Sequence, residues 1–204
     1  TELEQKIASF KHRESAIVYS SGYVTNLTTI STLFHKGDVV ICDKFNHASI
    51  VDGCLLSGAE FLRFNHNNLE DLERNLKKTQ DFKNRCVIID SVYSMDGDIA
   101  PLDKIYEISR ENEIMLMVDD AHGEGVLGHG GRGIANHFNL EGKVDIEVGT
   151  LSKAFGVMGG YVAGDPAIIE WLRQRGRPFL FSSAPTPADT AACIAAVDVL
   201  EEST

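Results

Sequence analysis

The strongest constraint on this chain is a set of short apolar runs that do not alternate with polar residues. Asp38-Val-Val-Ile-Cys-Asp43, Cys86-Val-Ile-Ile-Asp90 and Ile114-Met-Leu-Met-Val-Asp119 are apolar at every interior position. A strand with one wet face alternates with period two, so continuous runs of this length mark strands buried on both faces. Further strands are expected at 16–19, 60–64, 144–148, 160–163 and 179–181. Between them, helical patterns cover 22–33, 47–56, 68–78, 102–111, 166–174 and 187–200. Thr1-Glu-Leu-Glu4 is a capping-box pattern opening a helix with Leu3, Ile7 and Phe10 on one face. The alternation predicts an α/β fold: a mostly parallel sheet of about seven strands with helices on both faces. Neither an internal repeat nor a linker divides it, so one domain over 1–204 is expected.

Charge narrows the partners. Nineteen Lys+Arg stand against 30 Asp+Glu, a net charge of −11. That argues against nucleic acid or an anionic membrane surface, which need a basic face. An anionic ligand would have to be held locally, by backbone N–H groups. The apolar runs fall short of the roughly 18–20 residues of a membrane span, and the N-terminus carries no leader pattern. Cys42, Cys54, Cys86 and Cys193 are far apart and form no CxxC pair. Reduced, buried thiols in a cytoplasmic protein are expected.

In parallel sheets, ligands gather at the carboxyl ends of strands. Those positions carry Ser20-Ser-Gly-Tyr23, Asp43-Lys-Phe-Asn-His47, Asp90-Ser91, Asp119-Asp-Ala-His122 and Gly149-Thr-Leu-Ser-Lys153. Each alone reads equally well as a helix cap or a satisfied core group; five together predict a site. Lys153, after a buried strand and among small and apolar residues, reads either as a desolvated amine, made nucleophilic and suited to a Schiff base, or as an ordinary surface lysine before a turn. Asp119 ends the longest apolar run with no arginine beside it. A protonated ring nitrogen of a cofactor, as in pyridoxal phosphate (PLP) sites, would serve as its partner. His122 could donate to an oxygen of the same ring. Metal ligation by Asp119, Asp120 and His122 is the competing reading, without a second cluster at ligand spacing to support it. Gly22 opens a helix whose N–H groups suit a phosphate, although a cap by Ser20 or Ser21 explains the segment as well. His47 is either a cap-region residue or an aromatic surface for a flat cofactor. Gly128-His-Gly-Gly-Arg-Gly133 matches GxGxxG but does not directly follow a strand, so a flexible loop is expected instead of a dinucleotide site. Ser94-Met-Asp-Gly-Asp98 reads as a turn at the site rim.

Taken together, Ser21-Gly-Tyr23, Asn46-His-Ala-Ser49, Asp90-Ser-Val-Tyr-Ser-Met-Asp-Gly-Asp98, Val118-Asp-Asp-Ala-His-Gly123, Gly131-Arg-Gly133, Gly149-Thr-Leu-Ser-Lys-Ala-Phe-Gly156 and Phe181-Ser-Ser-Ala184 resemble the α-oxoamine synthases. These are PLP-dependent enzymes of fold type I. The resemblance implies that Lys153 carries PLP as an aldimine, Asp119 faces the pyridinium nitrogen and His122 meets the ring hydroxyl oxygen. It also implies that His47 stacks on the ring, that Ser91 lies beside it, and that Gly22, Tyr23 and Thr150 hold the phosphate. Ser182 and Ser183 would reach the phosphate of the neighbouring subunit, so a homodimer with a shared active site is expected. Residues 1–204 would be the PLP-binding large domain, the family's N-terminal segment and C-terminal small domain lying outside it. The implied reaction condenses a small amino acid with an acyl-CoA thioester. The glycine-using C-acetyltransferase branch is the preferred expectation. The alanine-using branch that makes 8-amino-7-oxononanoate, and a fold-type-I aminotransferase, are the alternatives. Asp119-Asp120-Ala121-His122 departs from the Asp-Glu-x-His of 5-aminolevulinate synthases.

Overall fold

The computed structural model describes residues 1–202. Helix α1 (Glu2–Phe10) opens with the expected capping box, Thr1 accepting from the Glu4 N–H. Then follow β1 (Ser15–Tyr19), α2 (Gly22–Leu33), β2 (Val39–Asp43), α3 (Ala48–Ser57), β3 (Glu60–Phe64), α4 (Leu69–Lys78), β4 (Arg85–Asp90), α5 (Leu102–Glu111) and β5 (Met115–Asp119). A glycine-rich segment leads to a short helix, α6 (Ile134–His137). The chain continues through β6 (Ile146–Thr150), β7 (Gly160–Gly164), α7 (Pro166–Arg175), α8 (Arg177–Leu180) and α9 (Pro187–Glu202).

The seven strands form one sheet in the order β1-β7-β6-β5-β4-β2-β3. From β3 to β6 every pairing is parallel, whereas β7 runs antiparallel to both β6 and β1. The non-alternating runs are buried on both sides, as expected. Val39, Ile41, Val87, Ile89, Leu116 and Val118 meet Leu72, Leu76, Leu102 and Ile105 of α4 and α5. On the opposite face Val40, Cys42, Ile88, Met117 and Val148 meet Ile30, Ile50, Ile169 and Leu172 of α2, α3 and α7. Each such aliphatic side chain contributes about 1.5–3 kcal/mol on burial. A third cluster joins α1 and α9 through Phe10, Phe155, Tyr161 and Val197. All four cysteines are buried and unbridged. Among the described residues no helix is long and apolar enough to cross a membrane.

Three expectations change. Residues 179–181 are not a strand: Phe179 and Leu180 end α8 and Phe181 is its C-cap, with Gly176 at the N-cap and Pro178 in the first turn. Proline suits that turn and has no N–H for a ladder. The strand expected at 144–148 lies two residues later. The Asp145 carboxylate accepts the Leu116 N–H at 2.7 Å and pairs with Arg110, which occupies the strand's start, while Thr150 pairs with Gly160. The 128–133 segment is a packed turn instead of a flexible loop. Gly133, at φ +92°, sits so close to the Asp120 carboxylate that any side chain would collide with it.

Candidate active site

The carboxyl ends of β4, β5 and β6 and the start of α2 enclose a cavity of about 270 Å³. Gly22, Tyr23, His47, Asp119, His122, Thr150 and Lys153 all line it, joined by Asn26, Ser49, Asp90 and Ser152. Seven of the residues expected from sequence therefore converge on one space.

At one end is the first turn of α2. Ser21 caps it, its hydroxyl accepting the Val24 N–H at 3.2 Å, and the Ser21 carbonyl takes the Thr25 N–H. The Gly22 and Tyr23 N–H groups keep no acceptor among the described residues, which leaves them for a ligand's anionic oxygen. Of the two readings of this segment, the cap by Ser21 is directly observed. Thr150 lies against this turn: a Cβ on Gly22 would stand 2.8 Å from Thr150 Oγ1. The Thr150 N–H donates to Glu124 Oε1 at 2.6 Å, and Thr150 Oγ1 contacts Ser152 Oγ at 2.9 Å. Burial pushes the Glu124 carboxyl up to about 8, against the opposing pull of Lys11.

At the other end Asp119 is 6% exposed. Its Oδ1 accepts the Ala121 N–H at 3.0 Å and its Oδ2 the Asn26 side-chain amide at 2.6 Å. Both donors are neutral, so the buried carboxylate has no bonded cation among the described residues. Asp120 points the opposite way, into a buried cluster where Lys11 Nζ lies 2.9 Å from Asp120, 3.2 Å from Glu147 and 2.8 Å from the Arg132 carbonyl. That separates Asp120 from Asp119 and His122, and no group suited to a metal ion occurs among the described residues. The metal alternative therefore loses one of its three ligands.

His47 takes the cap position that its place in the sequence suggested. It caps α3, Nδ1 accepting the Ser49 N–H at 3.2 Å, and it lines the cavity. Its own N–H donates to Asp90 Oδ2 at 3.1 Å. Burial and the neighbouring Asp119 charge raise the Asp90 carboxyl well above the usual range. Half-buried His122 is held below the usual imidazole range by burial and by the Lys153 charge.

Of the two readings of Lys153, the structure has the exposed lysine of a turn. It lies in the turn after β6 on exposed ground at the cavity, so the described residues do not supply the desolvated setting its neighbours suggested. Ser91 is fully buried and does not line the cavity, its hydroxyl lacking any partner. Ser182 and Ser183 are exposed and border a separate cavity of about 110 Å³ beside Tyr19 and Phe179. Sequence reasoning missed Asn26 as a site residue. The available signal was the run of buried polar residues Thr25, Asn26, Thr28 and Thr29 in a single helix.

Comparison with known proteins identifies the family. The model of the aminotransferase class I and II family matches residues 1–203. An 8-amino-7-oxononanoate synthase of Bacillus subtilis is 52% identical over 201 residues, 98% of this chain and 51% of that protein. One from Thermoanaerobacter pseudethanolicus is 52% identical over 203 residues, 99% and 51% respectively. The chain thus spans about half the length of the curated relatives it matches. Among solved structures, serine palmitoyltransferase from S. paucimobilis, holding a PLP–myriocin aldimine, superposes with a TM-score of 0.95 at 39% identity. That match covers 99% of this chain and 51% of the other. An 8-amino-7-oxononanoate synthase of Francisella tularensis gives a TM-score of 0.87 at 37% identity, covering 98% and 58%. Family model, relatives and fold coincide over the segments that carry Asp119, His122 and Lys153, and the chain belongs to the aminotransferase class I and II family, in its α-oxoamine synthase branch of fold type I.

Proposed function

We propose that residues 1–204 form the cofactor-binding large domain of a PLP-dependent C-acyltransferase, which condenses a small amino acid with an acyl thioester. The observation that carries this reading is the Asp119 carboxylate, buried at the cavity with only neutral donors and lacking the cation such a group requires. A pyridinium nitrogen meets that need, and the unpaired Gly22 and Tyr23 N–H groups beside Thr150 suit a phosphate without net positive charge. The residues present therefore fit PLP, which when bound supplies an electron sink for a carbanion at the substrate Cα.

This chain's residues divide the remaining work. Lys153 Nζ would hold the cofactor and, once displaced by substrate, take the proton from the amino acid Cα. Asp119 would pair with a protonated ring nitrogen. His122 and His47 would orient the ring and the substrate, and Ser91 has a buried hydroxyl. In the proposed reaction a Cα–C bond to the thioester carbonyl would form as the C–S bond breaks and CoA leaves. Ser182 and Ser183, exposed and outside the main cavity, suit a phosphate bound in a second subunit, which supports a homodimer with shared sites. Four unbridged thiols fit a reducing, cytoplasmic setting.

The relatives' names favour the alanine-using, 8-amino-7-oxononanoate-forming chemistry over the glycine C-acetyltransferase expected from sequence. The test is CoA release by the full chain. Release with alanine and a pimeloyl thioester supports the proposal, and release with glycine and acetyl-CoA alone restores the other branch. Exchange between 2-oxo acids without CoA release would make the protein an aminotransferase. Lys153→Ala should abolish the visible absorption that PLP acquires on binding; a variant that retains it removes Lys153 from its assigned role.

A further inference from the structure

A chain of hydrogen bonds runs along the cavity wall from Asp119 to His47. Asn26 Nδ2 lies 2.6 Å from Asp119 Oδ2 and 2.9 Å from Ser49 Oγ, and Ser49 Oγ lies 2.7 Å from His47 Nδ1. Asn26 and Ser49 are 2% and 0% exposed, so water does not share in satisfying them. We propose that Asn26 and Ser49 are positioning residues that hold His47 as the tautomer carrying its proton on Nε2.

The direction of every bond follows from its neighbour. An ionised carboxylate only accepts, so the amide nitrogen of Asn26 must face Asp119. The same nitrogen's second hydrogen then points to Ser49 Oγ, which accepts it. The Ser49 hydroxyl still has its own proton, and His47 Nδ1 is the acceptor within reach. The Ser49 backbone N–H is aimed at that same nitrogen from 3.2 Å. Two donors therefore converge on Nδ1, which must present a lone pair. A proton there would face the Ser49 N–H and strand the buried Ser49 hydroxyl, and an unmatched buried polar group costs about 1–3 kcal/mol.

Nε2 is thus an N–H donor, on a ring that lines the cavity and has no other hydrogen-bond partner at that nitrogen among the described residues. His47 offers a hydrogen bond to an oxygen of whatever occupies the cavity and is not set up to remove a proton from it. The value of this donor for catalysis rests on the proposed reaction, whereas the tautomer does not.

The test is long-range ¹H–¹⁵N NMR of the full chain labelled in histidine, with the His47 signals assigned by their loss in His47→Gln. The expected wild-type pattern is an unprotonated Nδ1 and a protonated Nε2. Asn26→Ala and Ser49→Ala should bring the two ¹⁵N resonances together as the tautomers mix, and Ser49→Thr should restore the separation. A wild-type proton on Nδ1, or variants with unchanged signals, would overturn the proposal. The wild-type spectrum decides the first point even if a variant fails to fold. Absence of CoA release with an intact Nε2–H pattern would instead sink the proposed reaction and leave the tautomer standing.

Discussion

Asp90 and Asp119 are register partners at the ends of adjacent parallel strands, and burial together with the Asp119 charge keeps a proton on Asp90 well above the pH at which a free carboxyl loses it. A proton held by the folded state and not by the unfolded chain makes stability fall as pH rises. The fall starts near the unfolded value of about 3.9 and continues up to the folded one, at no more than about 1.4 kcal/mol per pH unit. Asp90→Asn copies the protonated form and keeps an acceptor for the His47 N–H. Denaturant unfolding across the pH range should show a flatter profile for this variant. An unchanged slope would assign the proton elsewhere.

Lys11 neutralises a carboxylate pair inside the protein, and its own ammonium is held well above its usual range because Asp120, Glu147 and Glu124 outweigh burial. Replacing it by methionine keeps the volume and leaves the carboxylates uncompensated. A loss of about 3–5 kcal/mol is expected in urea unfolding. A variant as stable as the parent would show that the cluster shares its charge with Arg13 more fully than the geometry indicates.

His66 bridges two carboxylates, with Nδ1 2.9 Å from Asp43 and Nε2 2.7 Å from Asp98, and Phe45 stacked on its ring. Burial lowers its proton affinity, but the two carboxylates prevail and raise it. The added stability is therefore complete below the unfolded value of about 6.5 and disappears as pH rises through the raised folded value. His66→Gln should remove this dependence. Amide exchange in the 94–98 turn, which Asp98 anchors, should quicken at alkaline pH in the parent and be pH-insensitive, beyond the intrinsic trend, in the variant.

Gly22→Ala places a methyl 2.8 Å from Thr150 Oγ1 and 3.0 Å from Thr150 Cβ. Overpacking of this kind costs about 1–3 kcal/mol. The displaced parts are the two that would hold a phosphate. PLP titration should show weakened binding, while unliganded PLP-free protein still folds. Undiminished affinity would move the phosphate away from α2.

The architecture and the site's centre were legible because both follow from local patterns. Unbroken apolar runs specify buried parallel strands, and parallel strands deliver their terminal residues to a common edge, which assembles Asp119, His122, Thr150 and Lys153. What stayed hidden depends on contacts distant in sequence. Lys11 meets Asp120 from 109 residues away, and Asn26 reaches Asp119 from the middle of a helix, where periodicity reports only burial. The misread 179–181 segment has strand-like aromatics, yet Pro178 and the Tyr19–Phe179 edge contact, 5.8 Å between centroids, made a helical turn the better arrangement. Local pattern left Lys153 open between a desolvated amine and a surface lysine, because its exposure depends on what covers the turn after β6.

The pairing of β1 with β7 sets an order of events in time. β1 precedes the other six strands of this sheet in chain order, yet its register runs from Ser15 opposite Gly164 to Tyr19 opposite Gly160. Among the described strands, it waits until the six others have been made. Closing that long loop is slow, as expected for non-local strand pairing. Meanwhile Ala16-Ile-Val-Tyr19 remains an unpaired apolar edge, open to strand exchange with another nascent chain.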